Sequence, residues 1–333
     1  MSDANLRESV QRITVKQLCR RFLQKYFSLP HTLSQLNEKL AILQNELDEQ
    51  KLLTAKLLIE RIRSHEAYPN IHDAEFKVYS QNGEDGIIQY LIHLSKIDSG
   101  TFIEFGVENY REANTRFLLV NNNWSGLVID CDESNIEQIK HDHIYWKYNL
   151  KAVHSFLSCD NINQVFLDNG YSGEIGLLSI DVDGNDYWLW KESNVISPII
   201  VVVEYNSIFG KDFAVTIPYQ PAFQRFKAHH SGLYWGCSLK ALHLIAEQKG
   251  YVFVGSNSSG NNAFFVRHDK LGNIKPVNLN DGYVESKYRE SRDTDGRLTY
   301  LSGRDRIDLI KEMTVYDVQC NRYVKIKDLY ICQ

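Results

Sequence analysis

Residues 175–186 read IGLLSIDVDGND, an apolar run that stops at three carboxylates within six residues. Three other apolar runs have the same form, and they are TFIEF at 101–105, SGLVID at 125–130 and PIIVVVE at 198–204. Between the runs lie segments with helical patterns, at 112–121, 134–140 and 161–169. Strands that are apolar on both faces and alternate with helices are typical of a parallel sheet covered on both sides. The sequence therefore predicts a doubly wound α/β domain.

The last part of this sheet has a different pattern. A helix is predicted over residues 238–249, with Ser238 as its N-cap and Gly250 at its C-terminal stop. Two β-rich runs follow, YVFVG from Tyr251 and AFFVR from Ala263, joined by the polar loop SNSSGNN. Such a pair is typical of a hairpin, so we expect the sheet to end in an antiparallel pair.

Ahead of the α/β domain the pattern is helical. Leucines recur at alternating spacings of three and four, at Leu33, Leu36, Leu40, Leu43 and Leu47. Because neither Gly nor Pro interrupts it, a helix of roughly eight turns with a coiled-coil pattern is predicted over residues 33–63. Its apolar stripe has to be covered, either by the chain's own globular domain or by a second copy in a homo-oligomer.

Residues 5–27 place Arg and Lys among apolar residues at helical spacing. A basic amphipathic helix of this kind either makes a peripheral contact with an anionic membrane surface or covers a neighbouring part of the protein. Pro30 is expected to separate this helix from the next, and Pro69 to close the second. The predicted domains are a helical extension at 1–68, an α/β domain at 69–270, and a C-terminal segment that packs on or caps it at 271–333, with a helix near 304–313.

Charge and cysteine content narrow the functional classes. The net charge is −5, so nothing in the electrostatics favours a nucleic-acid partner. No run approaches the ~20 apolar residues of a membrane span, and no secretory leader pattern is evident. The six cysteines are scattered without a C-x-x-C pair, which favours free thiols in a reducing compartment over disulfides or zinc. A cytoplasmic protein is expected, with the inner face of the membrane as its alternative location.

The candidate site residues stand where the predicted strands end. In an open α/β sheet, ligands bind beyond the carboxyl ends of the strands. Acids end four successive predicted strands: Glu104, Asp130, Asp181 with Asp183, and Glu204. After the first strand, Gly106 allows the backbone to approach a ligand closely. The G-x-G-x-x-G fingerprint and a glycine-lysine phosphate loop are both missing, which counts against NAD and ATP.

These residues resemble a known family. FIEFGV at 102–107 is similar to motif I of class I S-adenosylmethionine-dependent methyltransferases, and Asp130 matches their ribose-binding acid. Further segments resemble the FkbM-like subgroup encoded among bacterial surface-polysaccharide genes, and they are YSQNGEDGIIQYL at 79–91, LLSIDVDGND at 177–186, VVVEYN at 201–206, SLKALHLIAEQKGY at 238–251 and NAFFV at 262–266. The resemblance implies a Rossmann-like fold with an antiparallel last strand. It also implies methylation of a sugar hydroxyl in an O-antigen or capsule.

The resemblance implies a cofactor and residues that bind it, but it does not fix the catalytic base. It implies S-adenosylmethionine as cofactor, bound by Gln81, Asn82, Glu104, Gly106, Val107, Asp130 and Asp181. The acceptor would be a carbohydrate, a nucleotide sugar or a lipid-linked glycan, and Asp183 is the first candidate base, with Glu204 second. The histidines His154, His229, His230 and His243 are alternative bases. A divalent metal on Asp181, Asp183 or Glu204 is not favoured.

Two other functions are consistent with the same pattern. One is an NAD-dependent enzyme acting on a nucleotide sugar, which the missing glycine fingerprint disfavours. The other is a non-catalytic partner in a polysaccharide assembly complex that uses residues 33–63 as a coiled coil.

Overall fold

In the computed structural model of the chain, residues 15–65, 67–98 and 100–330 are described, and the side chains within those ranges are described from Leu33 to Leu329. The chain divides into two compact units, Met1–Thr54 and Ala55–Gln333. The predicted segment 5–27 lies partly outside the described residues, because residues 5–14 are not among them.

Helix α1 spans Val15–Arg63 without a break. The expected separation at Pro30 is therefore wrong. A proline inside a helix removes one hydrogen bond and costs about 3 kcal/mol, and the long helical pattern on both sides continues through it. Pro69 does not close the helix either, because α1 ends at Arg63 and the Ser64 N–H bonds back to the Glu60 carbonyl at 3.0 Å.

The second unit is built on a seven-stranded sheet. The strands of the whole unit are β1 (Thr101–Phe105), β2 (Ser125–Asp130), β3 (Leu150–His154), β4 (Gly173–Ile180), β5 (Ile196–Glu204), β6 (Val215–Thr216), β7 (Tyr251–Ser256), β8 (Asn262–Arg267), β9 (Thr314–Asp317) and β10 (Arg322–Lys325). The order across the large sheet is β3-β2-β1-β4-β5-β8-β7. Strands β1 to β5 pair in parallel, and β8 is antiparallel to both β5 and β7. The predicted Rossmann-like, mostly parallel sheet with an antiparallel last strand is confirmed.

Helices cover both faces of this sheet. They are α2 (Glu84–Leu94), α3 (Arg116–Asn121), α4 (Glu133–His141), α5 (His143–Lys147), α6 (Ile162–Asp168), α7 (Asp186–Glu192), α8 (Arg225–Ala228), α9 (Leu239–Lys249), α10 (Leu279–Gly282) and α11 (Arg304–Leu309), with 3₁₀ turns at Ile71–Ala74, Ser207–Phe209, His268–Lys270 and Ile326–Tyr330. Neighbouring strand residues enter different cores: Phe102 packs with α2 and α3, and Ile103 packs with α6 and α9. This alternation explains why the strands are apolar at every position.

The predicted helix and hairpin near the end of the sheet are also confirmed. The Ser238 hydroxyl accepts the Ala241 N–H at 3.1 Å as N-cap of α9, and Gly250 ends the helix in the left-handed conformation with φ 81°. Strands β7 and β8 form the expected antiparallel pair.

A smaller antiparallel sheet of order β10-β9-β6 accompanies the large one. It joins the C-terminal segment to Val215–Thr216, and its core contains Val215, Ile310 and Val315. The helix expected near 304–313 is shorter, at Arg304–Leu309. Within the described ranges, no helix is long and apolar enough to span a bilayer.

Candidate active site

The chain order of the sheet reverses between β1 and β4, because the chain moves from β1 outward to β3 and then returns to β4. This is the switch point at which doubly wound folds bind ligands, beyond the carboxyl ends of the strands. A cavity of about 720 Å³ opens there. It is lined by residues that follow four strands, and it includes the predicted Gln81, Glu104, Gly106, Val107, Asp130, Asp181, Asp183 and Glu204. Asn82 is the one predicted site residue that is not part of the lining.

Gly106 makes the turn after β1 at a very close backbone approach. Its φ is +79°, and a Cβ built on it would lie 1.4 Å from the carbonyl oxygen of Asp181. The Gly106 N–H donates to the Ile129 carbonyl at 3.0 Å. Only glycine combines this φ with this clearance, and the close approach to a ligand expected at Gly106 stays a prediction.

Glu104 is held by the protein itself. Its Oε1 accepts the Asn114 N–H at 2.9 Å, and its Oε2 accepts the N–H and hydroxyl of Thr115 at 3.0 and 2.5 Å. Ser179 donates its hydroxyl to Oε1 at 3.3 Å. Burial raises the pKa of Glu104, and these hydrogen bonds act against that rise. Glu104 thus ties the end of β1 to the loop before α3 and to β4, and its cofactor role stays a prediction.

Asp130 is also largely occupied by protein donors. Its Oδ2 accepts the Glu108 N–H at 2.8 Å, and its Oδ1 accepts the Asp132 N–H at 2.8 Å and the Asn135 amide at 3.1 Å. A carboxylate offers about four acceptor positions, so one remains for a hydroxyl of a ligand. Asp132, two residues further along the chain, caps α4 by accepting the Ser134 N–H at 2.8 Å.

The segment SQNGED, residues 80–85, is held in place by hydrogen bonds within the protein, and one side of it borders the cavity. The Asp85 Oδ2 accepts three backbone N–H groups, of Val78, Tyr79 and Ser80, at 2.7 to 2.9 Å. Glu84 reaches the β7–β8 hairpin, where the amides of Asn257 and Asn262 donate to its Oε1 at 2.6 and 3.0 Å.

Asn82 belongs to the same network. Its side-chain oxygen accepts the Tyr288 hydroxyl at 2.7 Å, and its amide points to Glu84 and Asn261. The side chain is therefore used to join loops, while the neighbouring Gln81 lies on the cavity wall. Cofactor binding by Asn82 remains a prediction that its position does not favour.

Asp181 and Glu204, at the ends of β4 and β5, form a carboxyl pair in the cavity. Burial raises the pKa of Asp181 well above its ordinary value, and the Asp183 and Asp186 charges raise it further. A hydrogen bond with Glu204 acts to lower the pKa of Asp181, against the larger effects that raise it. Burial, followed by the Asp181 charge, raises the pKa of Glu204 well above its ordinary value. The Glu204 Oε2 is buried without a hydrogen-bond partner.

Asp183 differs from this pair in exposure and in charge partner. It is exposed, and its Oδ1 accepts the Arg225 guanidinium at 2.9 Å. Strand β4 ends at Ile180, so the shared face that a longer strand would give Asp181 and Asp183 does not form. Asp183 itself has the positive φ of the turn, 54°, which had been expected of Gly184; Asp tolerates this conformation better than most residues. Gly184 instead leaves room for the Phe223 ring, 2.3 Å from a built Cβ.

Asp186 has a structural role in this turn. Its two oxygens accept the Val182 and Gly184 N–H groups at 2.8 and 3.0 Å. Burial raises its pKa to about 6, and these hydrogen bonds act against the rise.

Several residues that line the cavity were not predicted from the sequence. Arg225 in α8 and Phe223 come from the connection between β5 and α9, and residues 155–157 follow the unpredicted strand β3. No motif marks them, because their place depends on how the connection folds back over the sheet. The four alternative histidines are not among the lining residues. His154, for example, contacts the Cys131 carbonyl at 3.1 Å.

Acidic side chains dominate the charge of the cavity. Its described lining contains a single basic side chain, Arg225, and nine carboxyl groups, those of Glu104, Glu108, Glu112, Asp130, Asp132, Asp181, Asp183, Glu204 and Glu290. Low-dielectric walls lined by one sign of charge concentrate ligands of the opposite sign. The cavity therefore favours a cationic ligand over one that carries phosphates. Among the described side chains, no three His, Cys, Asp or Glu residues are arranged to hold a metal ion.

No protein-family model matches the sequence, and no curated protein matches it. Solved structures do resemble the fold. An O-methyltransferase from Bacillus cereus in complex with S-adenosylhomocysteine is 13% identical with a TM-score of 0.35, over 62% of this chain and 88% of that one. An S-adenosylmethionine-dependent methyltransferase from Clostridium acetobutylicum is 8% identical with a TM-score of 0.36, over 55% and 90%. TrmK from M. capricolum with S-adenosylhomocysteine is 13% identical with a TM-score of 0.32, over 53% and 65%. Likenesses this distant do not bear on what this chain binds.

Proposed function

We propose that this chain is an S-adenosylmethionine-dependent methyltransferase. The observation that carries the proposal is the acidic cavity at the switch point of the sheet, with nine carboxyl groups and one arginine in its described lining. S-adenosylmethionine has a sulfonium and an ammonium group and no phosphate, whereas NAD brings two phosphates. An acidic cavity favours the first ligand and repels the second.

The residues around the switch point fit such a cofactor. The turn at Gly106 and Val107 leaves the backbone open to the cavity, and Asp130 keeps one acceptor position for a ribose hydroxyl. Asp181 offers a carboxyl group to the cationic end. When bound, the cofactor supplies a methyl group that is already activated for displacement. The protein's own task is then to position the acceptor and to remove its proton.

We assign the proton acceptor to Glu204, supported by Asp181. A carboxylate with a raised pKa is the better general base near neutral pH, and the unpartnered Glu204 Oε2 has no other group to serve. In this scheme Glu204 would accept the proton of the acceptor hydroxyl, and the hydroxyl oxygen would displace the methyl group from the sulfonium of a bound cofactor, which would leave as the thioether S-adenosylhomocysteine. Asp183 is the alternative, although its carboxylate is already paired with the Arg225 guanidinium.

The acceptor in this proposal is a sugar hydroxyl of a bacterial surface polysaccharide or its precursor, methylated in the cytoplasm or at the inner membrane face. The segments at 79–91 and 238–251, which resemble the FkbM-like subgroup, support this choice. A free sugar, a nucleotide sugar and a lipid-linked glycan all present such a hydroxyl, so each belongs in the panel of acceptors to be tested.

Calorimetric titration with S-adenosylhomocysteine and with NAD is the direct test. We expect micromolar binding of S-adenosylhomocysteine and none of NAD. Binding of NAD alone would favour the alternative function, an NAD-dependent enzyme acting on a nucleotide sugar. Binding of neither would favour the non-catalytic assembly partner.

Cys131 gives a second, independent readout of the same site. It is an exposed free thiol on the cavity lining, so a bound cofactor should slow its alkylation by maleimide. Cys320 is exposed but lies outside the lining, and its labelling should not change. Mass spectrometry of labelled peptides, with and without S-adenosylhomocysteine, measures both rates. Equal protection of both thiols, or of neither, would contradict binding in this cavity.

A further inference from the structure

Helix α1 carries an uncovered leucine stripe, formed by Leu33, Leu36, Leu40, Leu43 and Leu47. Their exposed fractions are 50%, 52%, 54%, 59% and 51%. The alternating spacing of three and four places all five on positions a and d of a heptad. Every residue from 33 to 47 is exposed. A helix whose apolar residues are this exposed gains most of its stability only when that face is packed.

The leucine stripe is distinct from the part of α1 that lies within the second unit. There the buried residues are Ala55, Ile59 and Ile62, and Ile62 belongs to the hydrophobic core. In the heptad register that puts Leu33 at a, these three residues take positions b, f and b. Positions b and f form the outer side of a coiled coil. The core-facing residues are therefore different from those of the stripe, whose a and d positions stay available.

Polar residues flank the leucine stripe. Positions e and g are Asn37, Lys39, Gln44, Glu46 and Lys51. Larger coiled-coil oligomers bury these flanks, so a narrow a and d stripe with polar edges favours two strands. In a parallel pair in register, Glu46 at g lies opposite Lys51 at e of the other copy, and no like charges oppose each other along the stripe.

We propose that the leucine stripe binds the same stripe of a second copy of this chain, in a parallel two-stranded coiled coil. The proposal concerns assembly and does not depend on the methyltransferase function. Half-exposed leucines at about 60 Å² each give roughly 300 Å² of apolar area per chain. A standard stable interface buries about 800 Å² per partner. The aliphatic parts of the flanking polar side chains have to supply the remaining buried area. We therefore expect a dimer whose formation depends on concentration.

Sedimentation velocity of the full chain over a concentration series tests the stripe. The wild type should move from one chain mass to two, while Leu40→Ser with Leu43→Ser should need at least a tenfold higher concentration. Ile42→Ser is the matched control, because Ile42 is 51% exposed but lies off the stripe at position c. A wild type that stays at one chain mass, a trimer, or equal losses in the control and the double variant would overturn the proposal. Circular dichroism and thermal unfolding check that each variant is folded.

A charge reversal tests the parallel register. Glu46→Lys should weaken the dimer several-fold, because it brings the introduced ammonium group close to Lys51 of the other copy, and adding Lys51→Glu should restore it. An antiparallel pair would bring position 46 close to Lys39 instead, and Lys51→Glu would then restore nothing. Failure of the restoration would therefore overturn the parallel arrangement.

Discussion

Replacement of Gly106 by alanine tests the backbone geometry at the centre of the site. A Cβ here would lie 1.4 Å from the Asp181 carbonyl oxygen, and real Cβ contacts essentially never fall under 3.0 Å. The turn would have to move by more than an ångström. That shift loosens the Gly106 hydrogen bond to Ile129 and the one from Asp181 N–H to the Phe105 carbonyl, at 3.0 and 3.3 Å. Each is worth about 1 kcal/mol.

The left-handed φ adds a further cost of about 1–2 kcal/mol for a residue with a Cβ. We therefore expect Gly106→Ala to lower the free energy of unfolding by about 3–4 kcal/mol, out of about 5–15 kcal/mol for a typical domain. Gly250→Ala is the control, since Gly250 has a left-handed conformation with a φ of +81° and nothing within 4 Å of its built Cβ. It should lose only the conformational part, about 1–2 kcal/mol.

Urea unfolding of both variants measures these losses, and titration with S-adenosylhomocysteine measures the site. Gly106→Ala should bind the ligand at least tenfold more weakly, because the turn moves into the cavity, while Gly250→Ala should bind it as the wild type does. If the two variants lose equal stability, the close approach of the β1 and β4 ends does not constrain this position, and the account of the turn is wrong.

Three further predictions concern the carboxyl groups. Glu204→Gln should lower kcat by at least about a hundredfold with little change in S-adenosylhomocysteine affinity. The kcat of the wild type should rise with pH through an apparent pKa well above ordinary carboxyl values. Full turnover in Glu204→Gln, together with loss of turnover in Asp183→Asn, would identify Asp183 as the base instead. Asp130→Asn should weaken the binding of S-adenosylhomocysteine about tenfold, measured by calorimetry, because an amide has one acceptor oxygen where a carboxylate has two. Unchanged affinity would count against the ribose-binding role of Asp130. Burial raises the pKa of Asp186 from 3.8 to about 6, so its contribution is present below pH 3.8 and is lost as pH rises through 6. Wild-type stability should fall by about 3 kcal/mol relative to Asp186→Asn over that range, and parallel pH curves in urea unfolding would contradict it.

The sequence predicted the central strands because apolar residues dominate each of them on both faces, as expected of strands that are covered on two sides. Strand β3 lacks that signal. It stands at the edge of the sheet, and its burial alternates along Leu150–His154, with Lys151 exposed. A half-exposed strand of five residues has too few apolar positions to stand out from the helices around it. Strands β6, β9 and β10 are shorter still, at two to four residues.

The site was predicted as a set of strand-end acids, and the sequence could not rank them. Glu104 and Glu204 both end an apolar strand, yet the protein supplies hydrogen-bond donors to each Glu104 oxygen and leaves the Glu204 Oε2 without one. The donors to Glu104 come from Asn114, Thr115 and Ser179, of which Ser179 is 75 residues away in the chain. Tertiary neighbours therefore decide which carboxylate stabilises the fold and which one is free to react. The same holds for Asp183, whose partner Arg225 is 42 residues away: contacts between distant parts of the chain, which no local motif encodes, decide which strand-end acid is the candidate base.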